Sequence, residues 1–488
     1  MLFHEPLFLF VFLPSFGLLY AALRQSRPAR FWLLLGSSLL FYLWAEPVFV
    51  PLVLASAALD HLLALGIARD TARRPRRAGW LLAAGVAQNL LILFHYKYQH
   101  WLGGMLGLPE GAGGWFAAVA LPVGVSFVVF EKITYLVDVR RGASAPAPGL
   151  APYLLYVLFF PKLLAGPIIK YHDLDGQLRA LPPAGLDDLS RGFQRFMQGV
   201  IKKVLLADVL AGGADAAFAA GAGPDGALGF AGAWLGALFF TFQIYLDFSG
   251  YSDMAIGLAG MAGFRLAENF AQPYLARSMT DFWRRWHISL TSWIREYLYI
   301  PLGGSRGGAA RTYANLWLCF LASGLWHGAA WTFVAWGAWN GLFLVLDRLF
   351  LARALARLPF VLANGATMLV VVCGWVVFRA PSLQQAGAML SAMAQPGRPG
   401  AGPPVTSDLW LALAASVAVC WLPWVAGLAR RLPAAAGWDS RVRTWRRAGW
   451  LAAAAPRAAA SWGLLLLFVA ALGKTLADPF SPFIYFRF

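Results

Sequence analysis

Long apolar runs alternate with short polar breaks along almost the whole chain. Runs long enough to cross about 30 Å of hydrocarbon lie at 7–23, 31–45, 48–67, 78–96 and 118–137. Others follow at 151–165, 196–211, 228–247, 313–327, 331–346, 359–378, 408–428 and 460–476. Several are short or broken by glycine, so the pattern predicts about eleven or twelve crossings with some re-entrant segments among them. In lipid the backbone must satisfy its own polar groups, which leaves an all-α polytopic bundle as the expected fold. Residues 1–488 read as one transmembrane domain, with polar residues concentrated between 241 and 341.

One stretch interrupts the apolar pattern. From Arg265 to Arg311 there are seven arginines and three acids, Glu268, Asp281 and Glu296. Thr280 can cap a helix there, and Asp281 in the first turn suits the positive end of its dipole. Trp283, Trp286, Leu290, Trp293 and Tyr297 recur at helical spacing and form an apolar stripe. Arg284, His287, Thr291 and Arg295 form a polar stripe beside it. The spacing predicts an interfacial amphipathic helix over 281–299. It ends at Pro301, and Pro301–Gly308 reads as a flexible loop without the GxxxxGK[ST] arrangement of a phosphate-binding loop.

Composition agrees with a membrane protein. Of the 488 residues 59% are hydrophobic and 13% charged, against about 25% charged in soluble domains. The net charge of +17 would suit a nucleic-acid partner, but the positions of the arginines explain it without one. The loop 24–30 carries Arg24, Arg27 and Arg30 without an acid. The loop 69–77 carries five arginines and Asp70, and the region 429–459 carries seven arginines and Asp439. The loop 101–117 has no Lys or Arg. By the positive-inside bias the basic loops face the cytosol. The N-terminus and the tail Lys474–Phe488 then face outside. No basic n-region precedes the first apolar run, so no cleavable signal is expected. Three scattered cysteines, Cys319, Cys373 and Cys420, predict neither a disulfide framework nor a metal site.

Among the seven histidines, His327 stands at the end of an apolar run, in Leu325-Trp-His-Gly328. Ionisable groups at membrane depth are expensive and tend to line a cavity or pathway. An imidazole there can take a proton from a hydroxyl near neutral pH, and Gly324 and Gly328 would let either backbone or a substrate come close to the ring. The alternative is a histidine held by a backbone carbonyl and packed on Trp326. For His287 the alternatives are catalysis and an interfacial side chain. Asp247 and Asp253, in Tyr245-Leu-Asp-Phe-Ser-Gly-Tyr-Ser-Asp253, either cap a helix break near Gly250 or line a passage together with Tyr251. Glu131 and Lys132 read as a mutually neutralised pair. Arg284, Arg285 and Arg295 suit either lipid headgroups or the phosphates of a donor. Neither a GxSxG elbow nor an HExxH motif occurs.

Four stretches together resemble the membrane-bound O-acyltransferases, and within them the bacterial alginate O-acetyltransferase membrane proteins. They are Phe159-Phe-Pro-Lys-Leu-Leu-Ala-Gly-Pro-Ile168, Tyr245–Asp253, Asp281-Phe-Trp-Arg-Arg-Trp-His-Ile-Ser-Leu290 with Tyr299-Ile-Pro-Leu-Gly-Gly304, and Leu325–Gly328. The tail Pro482-Phe-Ile-Tyr-Phe-Arg-Phe488 is similar to the end of that subgroup. The resemblance implies His327 as the catalytic histidine, His287 as a second polar position, and a tunnel joining a cytosolic donor to an external acceptor. Tyr251, Asp247, Asp253 and Trp326 would support that tunnel. It implies an acyl donor such as acetyl-CoA or an acyl carrier rather than a bound cofactor, and a periplasmic acetyltransferase or polysaccharide-modifying partner. It also implies a bacterial inner membrane, whose periplasmic side the N-terminus and the tail then face. The same motifs serve D-alanyl transfer to teichoic acid and peptidoglycan O-acetylation. A secondary transporter of an acylated molecule is the rival from another class, but the sequence shows no repeat between halves.

Overall fold

The computed structural model describes residues 2–108, 119–221, 228–403, 405–429, 450–477 and 483–484, without the side chains of 426–429 and 450–460. The arginines from Arg430 to Arg447 and most of the tail motif lie outside the described residues, as does most of the loop 101–117.

The described residues are predominantly helical, and β-pairing among them is limited to a single bridge, Leu228 with Ala401. Helices used below are α1 (Leu13–Ala22), α2 (Arg27–Ala45), α3 (Val50–Arg73), α4 (Pro75–Leu93), α5 (Val125–Arg141) and α6 (Leu186–Ile201). They continue with α7 (Phe230–Met261), α8 (Met279–Arg285), α9 (Ile288–Ile294), α10 (Gly308–His327), α11 (Trp331–Leu346), α12 (Phe360–Arg379) and α13 (Trp450–Ala477). Seven described helices are long and apolar enough to cross a membrane: Val50–Arg73, Pro75–Met105, Leu186–Gly221, Phe230–Met261, Trp331–Ala356, Phe360–Arg379 and Ser407–Val425. Phe8–Ala22 and Ser461–Ala477 are shorter apolar helices. Two of the expected runs account for part of the difference. The runs 118–137 and 151–165 become short or polar pieces buried inside the protein, with α5 carrying Glu131, Lys132 and Asp138 and the second run breaking at Phe159.

α7 is the central helix and runs unbroken through Gly250, which corrects the expected helix break. The glycines there serve packing. A Cβ on Gly250 would stand 2.8 Å from the Gly199 carbonyl, and one on Gly257 would stand 2.5 Å from that of Gly192. Gly192 and Gly199 are seven residues apart on α6, as are Gly250 and Gly257 on α7, so two turns of each backbone meet directly. Small residues at such a seam compensate for the missing hydrophobic drive between helices in lipid.

Buried charges are cross-paired between elements. Glu131 pairs with Lys162, and Lys132 Nζ lies 3.2 Å from Asp60 and 2.7 Å from Ser56 Oγ. The expected Glu131–Lys132 pair does not form, because neighbouring residues on a helix point about 100° apart.

Candidate active site

α10 and α11 form a hairpin that places His327. A Cβ on Gly324 would meet the Phe333 carbonyl at 2.2 Å, and one on Gly337 the Phe320 carbonyl at 2.5 Å. A Cβ on Gly328 would strike the Phe333 ring. Of the two alternatives expected for Gly324 and Gly328, these contacts favour close approach of the partner helix and its side chains. The end of α10 is held by residues that follow α4. Lys97 Nζ donates to the carbonyls of Trp326 (2.5 Å) and His327 (2.9 Å), and Tyr98 Oη donates to that of Leu325 (2.8 Å). Terminal carbonyls that lack helical partners are thereby satisfied. The His327 ring is buried, with the rings of Trp326, Trp336 and Phe378 centred 4.9, 5.2 and 5.3 Å away.

The expected continuous helix over 281–299 is instead three pieces. α8 starts at Met279 with Ser278 Oγ accepting from Asp281 N at 3.1 Å, so Ser278 is the cap that was expected at Thr280. α8 ends at Arg285, α9 starts at Ile288, and a π-helical turn covers Arg295–Tyr299. His287 occupies the break with φ 43°, in the left-handed region. Trp283, Trp286, Leu290 and Trp293 are buried in the protein, which replaces the interfacial helix expected here. His287, expected beside Arg284 on a polar stripe, is fully buried. The reason is Asn269, whose backbone carbonyl accepts from Ile288 N (2.9 Å). Its side-chain Oδ1 accepts from Ser289 Oγ (2.8 Å) and Ser289 N (3.3 Å). These contacts pin the bend.

Asn269 also orients the imidazole. His287 Nδ1 lies 3.1 Å from Asn269 Oδ1, while Asn269 Nδ2 donates to Ser252 Oγ at 3.2 Å. An amide oxygen only accepts, so Nδ1 carries the proton, and in the neutral ring Nε2 is the basic nitrogen. The His287 and His327 rings are centred 6.5 Å apart, and Trp326 lies 6.1 Å from His287. The indole Nε1 of Trp326 is buried with no hydrogen-bond partner among the described residues.

One cavity borders His327, and another borders Asn269, the hydrogen-bond partner of His287. The first is small, about 80 Å³, and is lined by His327, Trp326, Lys97, Leu164 and residues 121–127. The second is larger and polar, about 500 Å³, and is lined by Asn269, Ser249, Ser252, Tyr245, Asp253 and Arg285 among others, and by Arg195, Lys202 and Glu268. Arg195 bridges Asp253 and Glu268, each at 2.6 Å, and Lys202 reaches Asp253 at 2.6 Å. Asp253 thus borders a cavity as one of the two readings expected, while backbone capping at a break is excluded by the continuity of α7. Asp247 and Tyr251 line neither cavity. Asp247 accepts from Ile484 N at 2.9 Å and meets Lys203 at 3.1 Å. Tyr251 stacks between Phe3 and Phe483, each 4.8 Å away. Both residues hold the tail against α7.

Of the three arginines singled out, Arg285 borders the polar cavity and pairs with Asp281 at 2.8 Å. Arg284 and Arg295 are exposed and line neither cavity. Lys97, Asn269, Arg195 and Lys202 were missed as site residues. A lysine directly after an apolar run, and two cations one face apart on the helix beside Asp253, were the signals available. Asp138, His172 and Glu296 bring possible ligand atoms within 4.8 Å of one another. Lys170 already holds Glu296 (2.6 Å), and Tyr297 Oη (2.6 Å) and His172 Nδ1 (2.9 Å) hold Asp138. Burial, followed by that bond to Asp138, raises the Tyr297 hydroxyl above its ordinary range, so it stays protonated and donating. This network braces the π-turn after α9 against α5.

The chain belongs to the membrane-bound O-acyltransferase family, whose sequence pattern matches residues 125–385. It is 43% identical to the "Probable alginate O-acetylase AlgI" of Pseudomonas syringae pv. tomato, over 80% of this chain and 75% of that one. With the protein of the same name from Azotobacter vinelandii it shares 40% identity over the full length of both. The "Peptidoglycan O-acetyltransferase" of Helicobacter pylori is 34% identical over 80% of each chain. The protein is therefore a multi-pass membrane enzyme that transfers an acyl group to a hydroxyl.

Proposed function

We propose that this enzyme moves an acetyl group from a cytosolic thioester, acetyl-CoA or an acylated carrier, to a hydroxyl on the periplasmic side of the inner membrane. The end product is an O-acetylated exopolysaccharide of the alginate kind, reached through a periplasmic acetyltransferase partner. The observation that carries this reading is the buried His287–His327 pair, with a small cavity at His327 and Lys97 and a charged polar cavity at Asn269, the partner of His287. His327 takes the proton as the acceptor oxygen attacks the acyl carbonyl, and the thiol leaves with a proton from the same ring. General-base help of this kind contributes on the order of 10²–10⁴-fold. Asn269 leaves His287 with an accepting Nε2, which suits orienting a hydroxyl better than donating to an oxyanion. Relatives named for alginate at 40–43% identity favour that polymer over peptidoglycan.

The test is ester-linked acetate, measured on secreted polysaccharide and on peptidoglycan, in cells with and without the protein. Loss from the polysaccharide, restored by wild type and not by His327→Ala, is the expected result. Unchanged polysaccharide acetate with loss from peptidoglycan would move the enzyme to the other polymer.

A further inference from the structure

A further cavity has neither His287 nor His327 in its lining. It has a volume of about 670 Å³ and runs between α1, the start of α6, the end of α7 and α13. That size lies within the range of about 300–1,000 Å³ typical of sites for small organic ligands. Its walls are apolar, with Leu13, Phe16, Leu189, Phe193 and Phe468 among them, and its two basic residues are Arg24 and Arg30.

Arg30 is the unusual member. Its side chain is only 5% exposed, and its Nε and Nη1 atoms have no hydrogen-bond partner among the described residues. Its guanidinium carbon lies 5.9 Å from the Tyr20 ring, whose hydroxyl donates to the Ala262 carbonyl at 2.8 Å and turns its oxygen to Arg30, a neutral partner rather than a counter-charge. A guanidinium removed from water without a counter-charge is strongly unfavourable. Its place on the helix adds to that. Arg27 and Arg30 stand at the start of α2, whose first turn contains no acid, although a helix N-terminus favours anions. Asp188 at the start of α6 is engaged by Gly185 N and Arg191.

We infer that this groove holds an acyl chain of an anionic phospholipid, with the phosphate on Arg30 and Arg24. The planar guanidinium offers two parallel donors to phosphate oxygens. The apolar walls take the chain, and the chain's surroundings are a bilayer because seven helices here are built to cross one. A lipid bound in this way would brace α1 and α13 against the α6–α7 seam. The inference does not depend on the acyl-transfer reading, and its test reads binding alone.

The test uses full-length protein stripped of lipid in neutral detergent, titrated with phosphatidylglycerol or phosphatidylcholine of the same chains. Native mass spectrometry reads occupancy and thermal melting reads stabilisation. Wild type should bind phosphatidylglycerol roughly tenfold more tightly or better, given the usual strength of Lys/Arg contacts with anionic lipid. Arg24→Gln with Arg30→Gln should erase that preference. Gly17→Phe offers a second variant, because a Cβ at Gly17 meets nothing within 4 Å and the position lines the groove. It should weaken both lipids while leaving the lipid-free melting temperature in place. Equal affinity for the two lipids in wild type would overturn the proposal, as would a preference that survives in the double variant. Saturation by laurate at the same concentration, or self-association that replaces lipid binding, would assign the groove to another occupant and overturn it too.

Discussion

The rings of His287 and His327 are centred 6.5 Å apart although they stand on separate elements. One sits in a left-handed break between two short helices, and the other closes a long one. Their approach depends on Asn269 on one side and Lys97 on the other. Each of those supports can be tested apart from the histidines.

His327→Ala should leave the protein inserted and reduce acyl transfer by about 10²–10⁴-fold, the usual contribution of a general base. The measurement is turnover of purified enzyme with a thioester donor, alongside thermal melting. The ring is packed against Trp326, Trp336 and Phe378, so some loss of stability is expected with Ala. His327→Gln, closer in volume, should retain more stability and remain inactive. Wild-type turnover in either variant would remove His327 from the chemistry.

At His287 the backbone and the ring must be separated. A non-glycine residue at φ 43° is strained unless it is of the Asn or Asp type. His287→Asn should therefore fold as well as wild type and lose most activity, whereas His287→Ala should lose both activity and stability. Asn269→Ala removes the acceptor of Nδ1 and should lower kcat more than the KM for either substrate. Its pH–rate profile should shift as the imidazole is released from one tautomer. An unmoved profile with intact kcat would make Asn269 a purely structural residue.

Lys97→Met removes two hydrogen bonds to the end of α10. Each such bond is worth about 0.5–1.5 kcal/mol, and the buried carbonyls left without a donor add to the loss, so the melting temperature should fall clearly, and activity with it. Lys97→Arg should restore part of both. A Lys97→Met protein as stable as wild type would show that the end of α10 is held by Tyr98 and packing alone.

The sequence pattern made some of this legible and concealed the rest for identifiable reasons. The apolar runs correctly announced a helical membrane protein, and His327 was conspicuous because it is polar inside an apolar segment. Periodicity failed at 281–299 because a single left-handed residue resets the helix phase while the aromatic spacing continues. Gly250 suggested a break, but its role depends on α6, which no local pattern reveals. Glu131 and Lys132 looked mutually paired because their true partners, Lys162 and Asp60, come from other elements. Asn269 lacked a signal, since its importance lies wholly in the two short helices that meet on it.

Orientation can be checked without chemistry. In a background lacking Cys319, Cys373 and Cys420, a cysteine placed at Leu108 should react with an impermeant maleimide added to intact cells. One placed at Arg74, in the loop with five arginines, should be protected until the membrane is opened. External labelling at position 74 would reverse the orientation and with it the proposed direction of acyl flow.

The polar cavity allows donor binding to be separated from surface charge. Arg285 lines it, whereas Arg284 and Arg295 are exposed and line neither it nor the cavity beside His327. If the donor's phosphates enter this cavity, Arg285→Gln should raise the donor KM by about tenfold, the loss of a charge-assisted bond. Arg284→Gln and Arg295→Gln should change it by less than about threefold, since exposed charges are well screened. Arg195 is a poorer probe, because its removal leaves Asp253 and Glu268 facing the same space. The assay belongs in detergent without anionic lipid, so that headgroup binding contributes nothing to the comparison. Raising the salt should narrow the gap between wild type and Arg285→Gln if the contact is electrostatic. An Arg285→Gln enzyme with the wild-type KM, or equal effects from all three arginines, would remove the polar cavity as the donor's entrance.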